Sequence, residues 1–495
     1  VEDENVQIDI RAADRLRAKT PLDLAPVLAK VTEAVRDSEL DLAKLRVVGD
    51  WVQYRQNFRP IADIRRIMPS ALQANGGEAY EIGVDLRRAP GAEDLSDQLA
   101  AAIARTTNPA GAGQYLEDWR PGSASVIWDF NGLYWNALGL WEEATGREYE
   151  QALPGGETDA RNSEMARGLI LKLFKIWDDL AARKALPEDL HVLELGVGNG
   201  NQARVWLDEF LKLDRENHRD YYSRLHYLMA DYSPHVLERA RENVNEHALR
   251  CSTLVMDARV PTQTLGFMRS KAFLVYISNV YDNLPTDEVV RLGGHLYMVE
   301  VRAYVPHKQA EEIATSVGIA ANELPDLVQR LLQLGPELLS RASPERFPNG
   351  PLEAVTFWRS VWEAVRLEER YVPMEGLDEY RIAEGVRGEL LRPILTAVGD
   401  VRMHISNGAA SSFLDSLPLL HPFGLLQCHD IFVTEAAQYQ RSFRGPGKYD
   451  GSVVNWVNGA ILAAVGRRNG YEVEYETFTH REGSNIMTMI ARLQE

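Results

Sequence analysis

Val192-Leu193-Glu194-Leu195-Gly196-Val197-Gly198-Asn199-Gly200-Asn201 is the stretch whose reading decides the fold. An apolar run of strand length ends in a glycine-rich turn, and Gln202–Lys212 then reads as a helix. Such a turn lets a ligand approach bare backbone and offers it the amides of a helix start. G-x-G alone is weak evidence, because a plain structural turn has the same composition. The surroundings strengthen it. His191–Leu195, Leu225–Ala230, Thr253–Met256 and Ala272–Ser278 read as strands, and Gln202–Lys212 and Pro234–His247 as helices between them. Strands alternating with helices indicate a parallel, doubly wound α/β sheet. Upstream, Met165, Leu169, Leu173, Trp177 and Leu180 recur at helical spacing in a stretch that opens at Ser163 and ends at Leu186-Pro187.

The alternation stops near Pro306. From there to Met403 the chain reads as helical, most clearly over Leu324–Leu334 and Leu352–Val365. Gly424–Val433 resumes as a strand and Val453–Asn469 as a helix. Two strands, Tyr471–Phe478 and Ile486–Leu493, then turn through Gly483-Ser484-Asn485 as a hairpin. The first 150 or so residues mix helical periodicity with loops such as Asn75-Gly76-Gly77 and Pro121-Gly122, carry no motif that connects to chemistry, and are followed by a break at Pro154-Gly155-Gly156. The expected fold is therefore α/β: a Rossmann-like, doubly wound sheet with a terminal antiparallel hairpin. Residues 1–160 form a mostly helical extension, 161–305 the first part of the sheet, 306–403 a helical insertion or substrate cap, and 404–495 the second part. Trp358 and Trp362, four apart on one inserted helix, suit either core packing or a substrate pocket.

Two cofactor classes use a strand–glycine turn–helix. A dinucleotide needs a third glycine three positions after the second, and Asn201 stands there. The spacing Glu194-x-Gly196-x-Gly198-x-Gly200 instead resembles the first motif of class I S-adenosylmethionine (SAM) methyltransferases. That resemblance implies SAM as cofactor, with Glu194 near its methionine end and Gly196, Gly198, Gly200 and Asn201 around its backbone-like portion. Asp231, with Tyr232 beside it, ends the second strand where a carboxylate accepts both ribose hydroxyls, and Asp257 ends the third strand near the adenine amino group. An ordinary helix cap before Ser233-Pro234 is the plainer alternative for Asp231, and the role of Asp257 stays open.

Further segments resemble the MidA-like branch of these methyltransferases, which includes a mitochondrial complex I assembly factor that methylates protein arginine. Asp231-Tyr232-Ser233-Pro234 is similar to the branch's acidic-x-Ser-Pro step. Ser278-Asn279-Val280-Tyr281-Asp282-Asn283-Leu284-Pro285 is similar to its Asn-Glu-x-x-Asp-Ala-Leu-Pro signature, with Val280 in place of the glutamate. Gly293-Gly294-His295-Leu296-Tyr297-Met298-Val299-Glu300 follows as the branch's next strand does. Pro446-Gly447-Lys448-Tyr449-Asp450-Gly451-Ser452 resembles its late Pro-Gly-x-x-Asp turn. The branch's glycine- and tyrosine-rich N-terminal signature is not recognisable in this chain.

Methyl transfer asks the protein to align nucleophile, methyl carbon and sulfur, and to take a proton where one must leave. Residues just after the fourth strand sit beside the methyl group in this fold, which makes Asn279 and Asp282 the candidates, Asn279 also touching cofactor. Asp282 suits a base or a partner for a cationic amine or guanidinium, and equally a loop-bracing carboxylate. His429-Asp430 is a second acid–base candidate, although a lone histidine is more often structural.

Absences narrow the chemistry. No Asn/Asp-Pro-Pro-Tyr/Phe follows the fourth strand, which disfavours adenine and glutamine amides as acceptors. Cys251 and Cys428 are the chain's two cysteines, too few for an iron–sulfur centre or a disulfide framework, and point to a reducing, cytoplasmic setting. No metal ligands are assigned, although scattered carboxylates leave a metal-dependent catechol-type enzyme open. A net charge of −18 argues against general nucleic-acid binding, and no stretch suits a membrane span. The leading expectation is a methyltransferase acting on a nitrogen or oxygen nucleophile of a protein side chain, such as arginine, ahead of a small metabolite. Homo-oligomerisation stays open. The competing expectation is a SAM-fold assembly factor or scaffold with little catalysis; a dinucleotide oxidoreductase is disfavoured by Asn201.

Overall fold

Arg46, Asp50, Asp63, Arg65 and Glu81 lie on buried strands rather than on solvent-facing helices. The computed structural model describes residues 7–11, 24–36, 44–50, 56–69, 79–107, 113–149, 159–440, 445–480 and 484–494, with Ser38, Leu40, Val52 and Tyr54. Asn75-Gly76-Gly77, Pro154-Gly155-Gly156 and Gly483 lie outside the described residues. Within the first 150 residues the chain forms β1 (Gln7–Arg11), β2 (Leu45–Asp50), β3 (Ala62–Ile67) and β4 (Ala79–Asp85), with β1, β2 and β4 parallel and β3 antiparallel to β4. Helices α1 (Ala25–Arg36), α2 (Leu95–Thr107), α3 (Ile127–Asn136) and α4 (Leu138–Thr145) accompany them. The extension expected as mostly helical therefore carries strands beside its helices, and charges that look like a solvated face are paired inside a sheet.

The next stretch follows the sequence reading. Helix α5 (Asp159–Ala182) precedes β5 (Leu190–Leu195), α6 (Asn201–Glu216), β6 (Leu225–Asp231), α7 (Pro234–Asn243), β7 (Cys251–Val255) and β8 (Ala272–Ser278). All four strands pair in parallel, β8 and β6 flanking β5, and β7 beside β6. Alternate residues of β5 serve opposite layers. Val192 packs with Leu173, Trp177 and Phe210 of α5 and α6, while Leu193 and Leu195 join the core on the other face. Helices therefore cover both sides, and the strand ends are left to build a site.

The chain then leaves this sheet earlier than the sequence suggests. β9 (Glu288–Leu292) and β10 (His295–Pro306) form an antiparallel hairpin around Gly293 and Gly294, at φ 54° and 85°. Two consecutive positive φ values are what a tight two-residue hairpin turn requires. Helices α8 (His307–Ser316), α9 (Leu324–Ala342) and α10 (Pro351–Ala364) follow, then β11 (Arg366–Pro373) and β12 (Val401–His404). The block placed at 306–403 is accordingly not purely helical, and its strands begin before 306. These four strands complete a sheet of ten strands among the described residues, running β1-β2-β4-β3-β11-β10-β9-β12, with Gly113–Tyr115 and Arg120–Pro121 also paired to β10.

A network of buried charges joins the two halves of that larger sheet. Arg65 Nη1 donates to Glu81 Oε1 at 2.6 Å, and its Nε lies 2.8 Å from Glu369 Oε2. Arg402 grips both oxygens of Glu369 at 2.7 and 2.9 Å, and the Tyr371 hydroxyl donates to Glu81 at 2.7 Å. Burial alone would raise the Glu369 carboxyl, but Arg402 and Arg65 overcome it and hold the group at about 2. Removing one partner leaves an uncompensated buried charge, at a cost of about 3–5 kcal/mol.

Helix α11 (Asn407–Ser416) returns the chain to the first sheet, which β13 (Leu420–Asp430), β14 (Tyr471–Thr477) and β15 (Met487–Leu493) complete. Its order is β14-β15-β13-β8-β5-β6-β7, with β13 parallel to β8 and the last two strands an antiparallel hairpin. Helix α12 (Gly459–Arg468) starts six residues later than the sequence suggests, because Ser452–Val454 pairs with Gly447–Tyr449 and Asn458 caps the helix by accepting from the Ile461 amide. Trp358 and Trp362 belong to the core.

Candidate functional site

The ends of β5, β6, β8 and β13 open on one cleft of about 1680 Å³. Gly196, Gly198 and Gly200 have φ of 74°, 59° and 81°, so each needs a residue without a Cβ penalty. At Gly196 a Cβ would lie 2.3 Å from Val280 Cγ2, and at Gly200 2.8 Å from the Ala240 Cα on α7. The first glycine brings the turn against the segment after β8, and the third lets α6 pack on α7. Such a turn leaves backbone open to a ligand that a side chain would displace. Asn201 is the first residue of α6 and lines the cleft.

Asp231 ends β6 and accepts the Gly198 amide at 3.1 Å and the Ser233 amide at 3.0 Å. Burial lifts its carboxyl to about 6 against these hydrogen bonds. The helix cap is Ser233, whose hydroxyl accepts from the Val236 amide, so Asp231 is left for the turn and the cleft. Glu194, 2 % exposed, accepts the Tyr227 hydroxyl at 2.6 Å, and burial raises it to about 8. Tyr232 is 38 % exposed at the cleft wall. Asp257 also lines the cleft, but Arg259 clamps both its oxygens at 2.7–3.1 Å. That clamp overcomes burial and lowers the Asp257 carboxyl.

Across the cleft, Asn279 follows β8 at φ 52° and donates its amide to the His429 carbonyl at 2.9 Å. A non-glycine residue in the left-handed region is strained, and β13 holds it there. Asp282 is buried at the wall; burial raises its carboxyl to about 6, and Asn283 Nδ2 donates to it at 2.7 Å. Behind it, fully buried Asp430 accepts the Tyr281 and Asp282 amides at 2.9 and 3.2 Å. Burial, and then Asp282, push Asp430 far above the usual carboxylate range.

His429 lines the cleft with both ring nitrogens engaged, Nδ1 with Thr488 Oγ1 at 2.9 Å and Nε2 with Gln427 Nε2 at 3.1 Å. Burial, with His480 nearby, lowers it to about 3. A neutral, doubly hydrogen-bonded imidazole packed on Tyr276 and Phe478 is a wall rather than an acid–base group. Its backbone and its neighbour Asp430 contribute more, by shaping the turn that carries Asn279 and Asp282.

The sequence reading also missed one wall of the cleft. Trp128, Asp129, Asn131 and Trp135 on α3, with Tyr149 beyond α4, line it. Asn131 Nδ2 donates to the Asn283 carbonyl at 3.0 Å, and Tyr134 and Trp141 donate to Asp450 at 3.0 and 2.9 Å. The aromatic density of Trp128–Trp135 is the signal that could have found it; no local pattern marks Tyr149.

Residues 169–351 match a family model described as "Putative S-adenosyl-L-methionine-dependent methyltransferase". No curated protein matches the chain. Among solved structures it is similar to an uncharacterized protein of Burkholderia thailandensis, at 12 % identity and TM-score 0.45 over 79 % of this chain and 91 % of that one. A superfamily member from the same organism, bound to S-adenosyl-homocysteine, has 13 % identity, TM-score 0.46 and the same coverage. The CcbJ methyltransferase of Streptomyces caelestis has 11 % identity and TM-score 0.29 over 69 % of this chain and 99 % of that one. Residues 169–351 hold the glycine turn, Asp231 and the post-β8 segment, all of which line the cleft. The chain is an S-adenosylmethionine-dependent methyltransferase with S-adenosylmethionine as its cofactor.

Proposed function

We propose that the protein methylates a nitrogen or oxygen nucleophile, with the guanidinium of a protein arginine as the leading acceptor and a small-molecule amine next. The observation that carries this is the charge of the cleft: Asp129 and Asp282 line it together with Glu148 and Asp450, which are paired with Arg239 and Arg147 at 3.4 and 3.9 Å, while Arg259 is already bound to Asp257. A cationic acceptor is drawn to such walls, and the neighbouring Trp128 and Trp135 offer faces on which a guanidinium stacks. The strand order β14-β15-β13-β8-β5-β6-β7 supports the Rossmann-like class I reading, and the post-β8 and late Pro-Gly segments support the MidA-like branch.

In this reading Asp231 takes the ribose hydroxyls with Tyr232 beside it. Gly196, Gly198, Gly200 and Asn201 accommodate the amino-acid portion next to Glu194, Asp257 lies at the adenine end, and Asn279 borders the reacting centre. The bound cofactor supplies a methyl group on a sulfonium that is already a good leaving group. Asp282, poised near neutrality, orients the acceptor and takes the proton it releases. The strands and helices between β8 and α11 form the cap over the acceptor side. Incubation with methyl-tritiated SAM and an arginine-rich peptide, against the same peptide carrying lysine and against free amines, tests the acceptor. Label in the arginine peptide alone supports the proposal; label only in small amines replaces it with the metabolite reading.

A further inference from the structure

Tyr149 meets the glycine turn from 50 residues upstream, its hydroxyl accepting the Asn199 amide at 3.1 Å. A Cβ added to Gly198 would lie 2.7 Å from that same oxygen, so the phenol occupies the ground the glycine keeps clear. It is braced from behind. The Tyr149 amide donates to Glu142 Oε1 at 2.9 Å, and Arg239 on α7 holds Glu142 at 2.9 and 3.2 Å. Arg239 also reaches Glu148 at 3.4 Å, and Trp135 packs edge-on against the Tyr149 ring at 5.8 Å. Backbone, ring and hydroxyl are thus each held, over the one turn whose shape suits a ligand's backbone-like end. Space-filling alone does not require a buried carboxylate and an ion pair to aim the side chain.

We propose that Tyr149 is a cofactor-binding residue that closes the amino-acid end of the SAM site, with Glu142 and Arg239 as the positioning residues that hold it there. The inference rests on the cofactor placement given above. It makes recognition of the cofactor bipartite: Asp231 grips the ribose, while Tyr149 and the glycine turn sense whether an amino acid is attached. A nucleoside that lacks the amino-acid portion keeps the first contact and never makes the second.

Calorimetric titration with S-adenosylhomocysteine and with 5′-methylthioadenosine separates the two. Tyr149→Ala is expected to weaken S-adenosylhomocysteine about tenfold or more and leave 5′-methylthioadenosine within about twofold. Tyr149→Phe, which spares the ring, and Glu142→Gln, which keeps the shape of the side chain, are expected to show the same selective loss at about threefold. Equal loss of both ligands, or unchanged S-adenosylhomocysteine affinity in all three variants, overturns the proposal. Wild-type protein that binds neither ligand overturns the cofactor placement itself, a distinguishable result.

Discussion

Tyr227 donates its hydroxyl to Glu194 Oε2 at 2.6 Å, with both side chains 2 % exposed. The pair sits under the glycine turn, where β6 and β5 run side by side. Burial raises the Glu194 carboxyl to about 8, so the folded protein holds a proton that the unfolded chain releases in the ordinary carboxylate range. A raised carboxyl contributes stability that is complete at acid pH and is lost as pH rises through the folded value. Glu194→Gln keeps an oxygen acceptor for Tyr227 without the titration. Between pH 5 and pH 9 the wild-type melting temperature is expected to fall more steeply than that of the variant; parallel curves contradict the shift.

Gly198 and Gly200 differ in what a methyl group meets. At Gly200 it strikes the Ala240 backbone at 2.8 Å; at Gly198 it meets only the end of the Tyr149 side chain. Gly200→Ala is expected to cost about 1–3 kcal/mol of stability. Gly198→Ala carries the left-handed strain without the backbone clash, so it is expected to cost less stability than Gly200→Ala yet lose S-adenosylhomocysteine affinity. Denaturant melts beside calorimetry read both effects.

Asp231 is expected to dominate cofactor affinity. Asp231→Asn removes a charged acceptor for two hydroxyls and lowers S-adenosylhomocysteine affinity about 10–100-fold, from about 1.5–3 kcal/mol for a charge-assisted hydrogen bond. The Ser233 cap persists in the variant, so the far-ultraviolet circular dichroism is unchanged. Retained affinity removes Asp231 from the ribose site.

Asp282 is expected to separate binding from chemistry. Asp282→Asn is expected to keep S-adenosylhomocysteine affinity within about threefold while methyl transfer to the arginine peptide falls at least about a hundredfold. The wild-type rate is expected to rise with pH through about 6, as the buried carboxyl ionises. A flat profile over pH 5–8 assigns the proton elsewhere.

What the sequence made legible was local. Leu190–Leu195, the glycine turn and α6 are contiguous, and their apolar alternation matches the layer each residue faces, so this part of the sheet emerged nearly in register. Asp231 ends a strand and Asn279 follows one, which is why both were legible as residues at the sheet's edge. The N-terminal strands hid because β3 buries Asp63 and Arg65 against Glu81 and Glu369, and a paired buried charge is indistinguishable in one sequence from a solvated one. Asp430 and Tyr149 act 148 and 50 residues from the amides they bind, distances over which no spacing rule operates. His429 looked reactive in sequence because nothing there shows Thr488 and Gln427 occupying its ring.

The salt-bridged seam between β3 and β11 has a consequence for biosynthesis. Arg65 reaches the Tyr371 hydroxyl 306 residues further along the chain, and Arg66 pairs with Arg370 in register. At about 5–20 residues per second, a ribosome takes about 15–60 s to make that partner. During this wait an apolar strand edge invites association with other nascent chains. Asp63 and Arg65 on β3 are charges of the kind that blunt an unpaired edge, and they stand there before Glu369 and Arg402 emerge. The same charges that are desolvated and paired in the finished protein are thus expected to limit edge-to-edge association on the growing polypeptide.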